Sequence, residues 1–233
     1  MPPISEHNSF YLAEDRRQQP KEYFKFLLQQ TVTRLASPTV RVLDIGCATG
    51  DFLYYVRSLY PKAELTGIDV SPEFTDKAKE SVPDASFCVA DIYSGTNLPA
   101  NRFDVVFMSG VIYLFPEFEP WLRNIVSLTA GSAYIFGVFN PDDLDVRATV
   151  QRSTDKTSAT PWNVISRKSI GAFLDSIGMR YRFIDWEMPI PIPKSHEDPL
   201  RSWTIPTADG HLLVVNGMQI IHRFSVLQVD VAD

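Results

Sequence analysis

The segment VRVLDIGCATGDFLYYV, residues 40–56, places a carboxylate, Asp44, just before Gly46, with Cys47 and Gly50 following. Glycines between a strand and a helix allow a tight turn that brings a ligand close to the backbone and the helix N-terminus. A dinucleotide fingerprint counted from Gly46 would need glycine where Ala48 and Asp51 stand, and no G-K-[ST] follows to complete a Walker loop. Asp44 selects by charge. Two unit charges about 4 Å apart interact by roughly 4 kcal/mol at an effective dielectric of 20, so a pyrophosphate is penalised there. A cofactor carrying an ammonium and a sulfonium, and no phosphate, is favoured; S-adenosylmethionine is such a cofactor.

Asp69, with Val70 beside it, ends the apolar run LTGIDV, where it can accept hydrogen bonds from both ribose hydroxyls of an NAD or an S-adenosylmethionine. It marks a ribose, not the cofactor. Asp91 ends CVADIY, where its carboxylate or the neighbouring backbone can accept from an adenine amino group while Ile92 covers one ring face. The C-terminal ends of successive strands face the crevice in which open α/β sheets bind ligands.

These residues need a framework of alternating elements. PKEYFKFLLQQTVTRLA opens with Pro20 and spaces Phe24, Leu27, Leu28, Thr31 and Leu35 along one helical face. Strand-like VRVLDIG, AELTGIDV, ASFCVAD, RFDVVFMSG and GSAYIFGVFN then alternate with helix-like GDFLYYVRSLY, SPEFTDKAKESV and EFEPWLRNIVSLT. Ser71 is the expected cap of the second of these helices, with Pro72 its first residue. The alternation predicts a doubly wound, mostly parallel α/β sheet. Beyond residue 140, NPDDLDVRATVQRSTDKTSATPWNV reads as loop or irregular helix, SRKSIGAFLDSIG as a helix ending at Gly178, and MRYRFIDWEM and GMQIIHRFSVLQV as closing strands. Between those strands, residues 189–217 form a proline-rich insertion with a hairpin signal at Asp209-Gly210, and its length suits a lid or pocket wall.

VLDIGCATGDF, LTGIDVSPEF, ASFCVADIY and RFDVVFMSGVIYLF together resemble the successive motifs of the class I S-adenosylmethionine-dependent methyltransferase family, over about residues 40–140. The resemblance implies a seven-stranded Rossmann-like sheet whose last strand is antiparallel, and S-adenosylhomocysteine as product. It also implies cofactor contacts at Asp44, Gly46, Cys47, Gly50, Asp69, Asp91, Ile92 and Ser109. Ala48 replaces the middle glycine usual in that motif, a small change that leaves room for the methionine moiety.

Other reactive residues carry competing readings. Cys47 reads as a small buried loop residue rather than a nucleophile, Cys88 as core, His222 as a packed or edge histidine, His211 as an exposed turn residue, and His7 is uninformative. His196, in KSHEDPLRSW, is a candidate to touch substrate or act as a base. Tyr11 and Tyr113 are candidates to line the active site, against simple packing. Arg201 and Trp203 suit an anionic or ring-shaped substrate, or equally a solvated charge and an aromatic anchor.

Length and composition complete the expectation. A chain of 233 residues with 45% hydrophobic residues suits one domain: arm and helix over 1–38, cofactor core over 39–140, substrate side over 141–233. The net charge of −6 offers no broad attraction to nucleic acid or anionic lipid. Two cysteines without a CxxC pair or metal-like cluster, no membrane-length apolar run and no signal-peptide pattern fit a cytoplasmic location. SGVIYLF follows the fourth strand in place of the [DN]-P-P-[FYW] found in family members that act on nucleobase or amide nitrogens. The favoured expectation is methyl transfer to a small-molecule acceptor, at oxygen before nitrogen. A noncatalytic cofactor-binding protein and a nicotinamide-dependent oxidoreductase stay open as alternatives.

Overall fold

Pro20 precedes helix α1, Glu22–Leu35, whose buried face is Phe24, Leu27, Leu28, Thr31 and Leu35, the set that helical spacing predicts. Thr31 is accommodated there because its hydroxyl donates back to the Leu27 and Leu28 carbonyls at 3.2 and 3.1 Å. These features come from a computed structural model that describes residues 11–13, 17–37, 39–154, 156–157, 159–196 and 198–231. The start of the arm, with His7, lies outside the described residues.

Strands and helices then alternate as β1 (Arg41–Ile45), α2 (Asp51–Leu59), β2 (Glu64–Asp69), α3 (Pro72–Ser81), β3 (Ser86–Val89), β4 (Phe103–Ser109), α4 (Glu119–Leu128) and β5 (Thr129–Val138). Ser71 caps α3 by accepting from the Phe74 amide at 3.3 Å, and Pro72 supplies the first helical φ, as predicted. Seven strands form one sheet in the order β3-β2-β1-β4-β5-β11-β8, where β8 is Arg180–Asp185 and β11 is Phe224–Asp230. Only β11 runs antiparallel to its neighbours in that sheet. The chain steps outward from β1 to β2 and β3, then returns to place β4 on the other side of β1. That reversal opens a crevice at the C-terminal ends of β1 and β4.

The central strand β4 is apolar on both faces because both are covered. Val105 and Phe107 pack with Phe24, Leu27, Phe52 and Val56 on one side. Val106 and Met108 pack with Trp121, Leu122, Ile125 and Leu174 on the other. Each such side chain contributes about 1.5–3 kcal/mol on burial, so the strand ends that carry the site are held rigidly.

One expectation fails after residue 140. The stretch read as loop or irregular helix is an antiparallel hairpin, β6 (Val146–Gln151) with β7 (Ala159–Val164). Strand β6 is largely exposed, so its polar residues hid the strand period, whereas β7 buries Trp162, Asn163 and Val164. The buried Asn163 amide is satisfied by donating to the Phe115 carbonyl at 2.7 Å. Helix α5 (Arg167–Ser176) ends just before Gly178, which has a φ of +73°, as predicted. The insertion contains the expected hairpin, β9 (Trp203–Pro206) with β10 (Leu212–Val215), turning through Gly210 at φ +88°. No helix among the described residues is long and apolar enough to cross a membrane.

Candidate functional site

The chain reverses sharply after β1 through three left-handed residues, Gly46 (φ +71°), Ala48 (φ +45°) and Gly50 (φ +84°). The amides of Gly46 and Cys47 both donate to the Ile68 carbonyl, at 2.8 and 3.0 Å, which ties the loop to the end of β2. A Cβ on Gly46 would sit 3.1 Å from a Val111 methyl, and one on Gly50 would sit 3.1 and 3.2 Å from Cβ and Cα of Ala78. The first glycine therefore keeps the loop low beside the β4 end, and the second lets α2 pack on α3. Ala48 occupies a left-handed position, where a glycine would be the unstrained choice.

The three strand-end carboxylates differ in environment. Asp44 is 4% exposed, and no hydrogen-bond donor among the described residues reaches its carboxylate. Burial first, and the Asp69 charge second, hold its carboxyl well above the ordinary value. Asp69 accepts from the Ala48 amide at 3.0 Å and the Ser71 amide at 2.9 Å, with Val70's amide also favouring its charge. Burial still outweighs these bonds and raises its pKa. Asp91 is engaged locally instead, accepting from the Tyr93 amide at 2.8 Å and the Ser94 hydroxyl at 2.9 Å. Ile92 beside it is buried, with its carbonyl accepting from Asn124 at 2.7 Å. Ser109 closes β4 with a buried hydroxyl oxygen that has no hydrogen-bond partner among the described residues.

Above β4, the 3-10 turn Ile112–Leu114 carries Tyr113, whose ring stacks on Trp162 of β7 with centroids 4.1 Å apart. Burial, then the neighbouring Tyr11 phenol and Asp198 carboxylate, push the Tyr113 hydroxyl well above its ordinary pKa. The structure thus brings together Tyr11 from the arm, Tyr113 from the turn and Asp198 from the insertion. Tyr11 also meets the edge of Phe74, with the Lys21 ammonium 5.1 Å over its ring. Trp162 stacks in turn on His222, centroids 5.5 Å apart, and Ser202 Oγ lies 3.4 Å from His222 Nδ1. Burial pushes His222 down to about 4, so it is a neutral imidazole at pH 7.

Other candidates fall elsewhere. His196 is exposed, and no hydrogen bond among the described residues reaches its ring. His211 is exposed beside Glu187, as its turn position predicts. Burial, then Asp44 and Asp69, raise the Cys47 thiol well above its ordinary value, which disfavours a nucleophilic thiolate. Arg201 lies 3.9 Å from Asp198, and Trp203 is buried beneath the Lys194 ammonium. Three residues escaped functional notice in the sequence: Trp162 in a segment that looked like loop, Asp198 in a proline-rich insertion, and His222 as ordinary packing. Only the alternation of Thr160, Trp162 and Val164 offered a signal.

A family profile described as "Methyltransferase domain" matches residues 42–130, the span from β1 into β5 that carries the glycine loop and all three carboxylates. Over that span the chain is similar to methyltransferase domains. Trans-aconitate 2-methyltransferase of Escherichia coli O1:K1 / APEC is 31% identical over 87 residues, covering 37% of this chain and 34% of that protein. The enzyme of the same name from Methylobacterium radiotolerans is 27% identical over 131 residues, covering 56% and 47%. The chain thus spans from about a third to about half the length of these curated relatives. An S-adenosylmethionine-dependent methyltransferase from Clostridium acetobutylicum superposes with a TM-score of 0.61 at 12% identity, covering 97% of this chain and 99% of that one. That likeness shows the methyltransferase fold across nearly the whole chain.

Proposed function

We propose that the chain transfers a methyl group from S-adenosylmethionine to the oxygen of a small-molecule acceptor and releases S-adenosylhomocysteine. The observation that carries this reading is Asp44, a buried carboxylate without a donor, at the mouth of a glycine loop. It suits an ammonium and rejects a phosphate. The site fits the cofactor in its other parts as well. The Gly46-Cys47 backbone and Gly50 keep the loop open for the methionine end, and the partnerless Ser109 hydroxyl adds a polar contact. Asp69 and Val70 suit the ribose, Asp91 and Ile92 the adenine, and Tyr11 closes the arm side.

When bound, the cofactor supplies an electrophilic methyl group on a sulfonium. The chain's own residues align and desolvate. Reacting atoms held at about 3–3.5 Å react without a dedicated base, and displacing water from a charge-dispersing reaction assists it. Tyr113 stays a protonated phenol and acts as a wall and hydrogen-bond donor. His196, exposed on the insertion, would reach an acceptor only if that segment turned inward. The relatives' printed names support a small-molecule acceptor without carrying its identity over.

Turnover tests the reading. Purified protein incubated with S-adenosylmethionine and a panel of small alcohols, phenols, carboxylic acids and amines is expected to form S-adenosylhomocysteine above the acceptor-free rate with a hydroxyl compound, and to lose this in Asp69→Asn. Cofactor binding with no rise for any compound would favour a noncatalytic binding protein instead.

A further inference from the structure

Two nitrogens near Tyr113 have no hydrogen-bond partner among the described residues. Trp162 Nε1 and His222 Nε2 are both shielded from solvent without a hydrogen bond, in side chains that are 7% and 4% exposed. A buried donor or acceptor left unpaired destabilises the fold, so two in adjacent stacked rings point to a group that completes them. Trp162 is already stacked with both Tyr113 and His222. The stack therefore offers its edges, and those edges carry polar atoms.

We propose that Trp162 and His222, beside Tyr113 and Asp198, form the acceptor subsite, and that it takes a neutral hydroxyl-bearing compound rather than a polycarboxylate. This rests on the methyltransferase reading above. A hydroxyl accepts from Trp162 Nε1–H, and it can donate to His222 Nε2 or accept from it, so it serves whichever tautomer the Ser202 contact selects. A carboxylate only accepts. It would also enter a region where the imidazole is neutral and where the Asp198 side chain, 1% exposed, already sets one carboxyl group. The Arg201 guanidinium nearby faces Asp198 at 3.9 Å. The insertion closes over this corner through Ser202 and Asp198, so it must part to admit the acceptor. The family profile ends at residue 130, before Trp162, Asp198 and His222, so it does not describe these residues.

The test is calorimetric titration of protein saturated with S-adenosylhomocysteine, using catechol as the neutral probe and trans-aconitate as the tricarboxylate. Catechol is expected to bind at least tenfold more tightly. Trp162→Phe and His222→Phe keep a ring in each stack and remove the nitrogen; each is expected to weaken catechol at least tenfold while leaving the S-adenosylhomocysteine affinity unchanged. Tighter binding of trans-aconitate, no catechol binding, or unaltered catechol affinity in variants that still bind S-adenosylhomocysteine would overturn the subsite. The wild-type comparison decides even where a variant fails to fold. Failure of wild type to bind S-adenosylhomocysteine would instead overturn the methyltransferase reading, and the subsite with it.

Discussion

Replacing Asp44 by asparagine is expected to move stability and cofactor affinity in opposite directions. The carboxylate is buried beside the Asp69 charge without a donor among the described residues, so its ionisation in the ligand-free fold is penalised. Leaving a buried polar group unsatisfied costs about 1–3 kcal/mol, more when it is ionised. The near-isosteric amide relieves the charge, and each kcal/mol recovered raises the melting temperature by roughly 2–4 °C in a chain of this size. Burial raises the folded-state pKa of Asp44, so the native state keeps a proton where the unfolded chain has lost it, and the group's stability falls as pH rises between the two values. The asparagine advantage is therefore present at neutral pH and disappears below about pH 4, near the unfolded carboxylate value. Losing a charge-assisted hydrogen bond of about 1.5–3 kcal/mol weakens S-adenosylhomocysteine roughly 10- to 100-fold. Thermal melts from pH 4 to 8 with and without S-adenosylhomocysteine, joined to calorimetry, read both effects. A less stable variant with unchanged affinity would refute the reasoning, because Asp44 would then be structural.

Three further outcomes follow from the same geometry. Gly50→Ala forces a side chain into a left-handed conformation with its Cβ 3.2 Å from the Ala78 backbone, and is expected to lower stability by about 1–3 kcal/mol in chemical denaturation. His222 is held neutral to about pH 4 in the native state and titrates near 6.5 when unfolded, so stability falls as pH drops through that window. The loss is at most about 3 kcal/mol and is expected to be absent in His222→Phe, as denaturant titrations at pH 7 and pH 4.5 would show. Native Cys47 is expected to resist iodoacetamide at pH 8 and to react once the chain is unfolded in guanidinium, which mass spectrometry of the labelled peptide resolves.

The fold of the candidate cofactor half was legible in the sequence because its signals are local. Apolar runs ending in Asp69 and Asp91, a Ser71-Pro72 helix start and left-handed glycines each specify their own geometry. The bonds that Asp91 accepts from Tyr93 and Ser94 are a turn detail that strand-end position alone does not record. The proposed acceptor side was largely hidden. Strand β6 is exposed and polar, so β6 and β7 carried too little alternation to separate them from loop. The Tyr113-Trp162-His222 stack joins a turn, a hairpin and the approach to the last strand, a juxtaposition that only the closed sheet creates. His196 and Asp198 sit two positions apart, yet packing of the insertion exposes one and buries the other, which no local pattern records.

The most direct test of the central claim is calorimetric titration of the wild-type protein with S-adenosylmethionine, S-adenosylhomocysteine and NAD in parallel. Binding of the two sulfur compounds, each weakened by Asp69→Asn, with no heat from NAD, is the predicted result. Binding of NAD, or of none of the three, would contradict it, since Asp44 would then not be selecting a phosphate-free cationic cofactor.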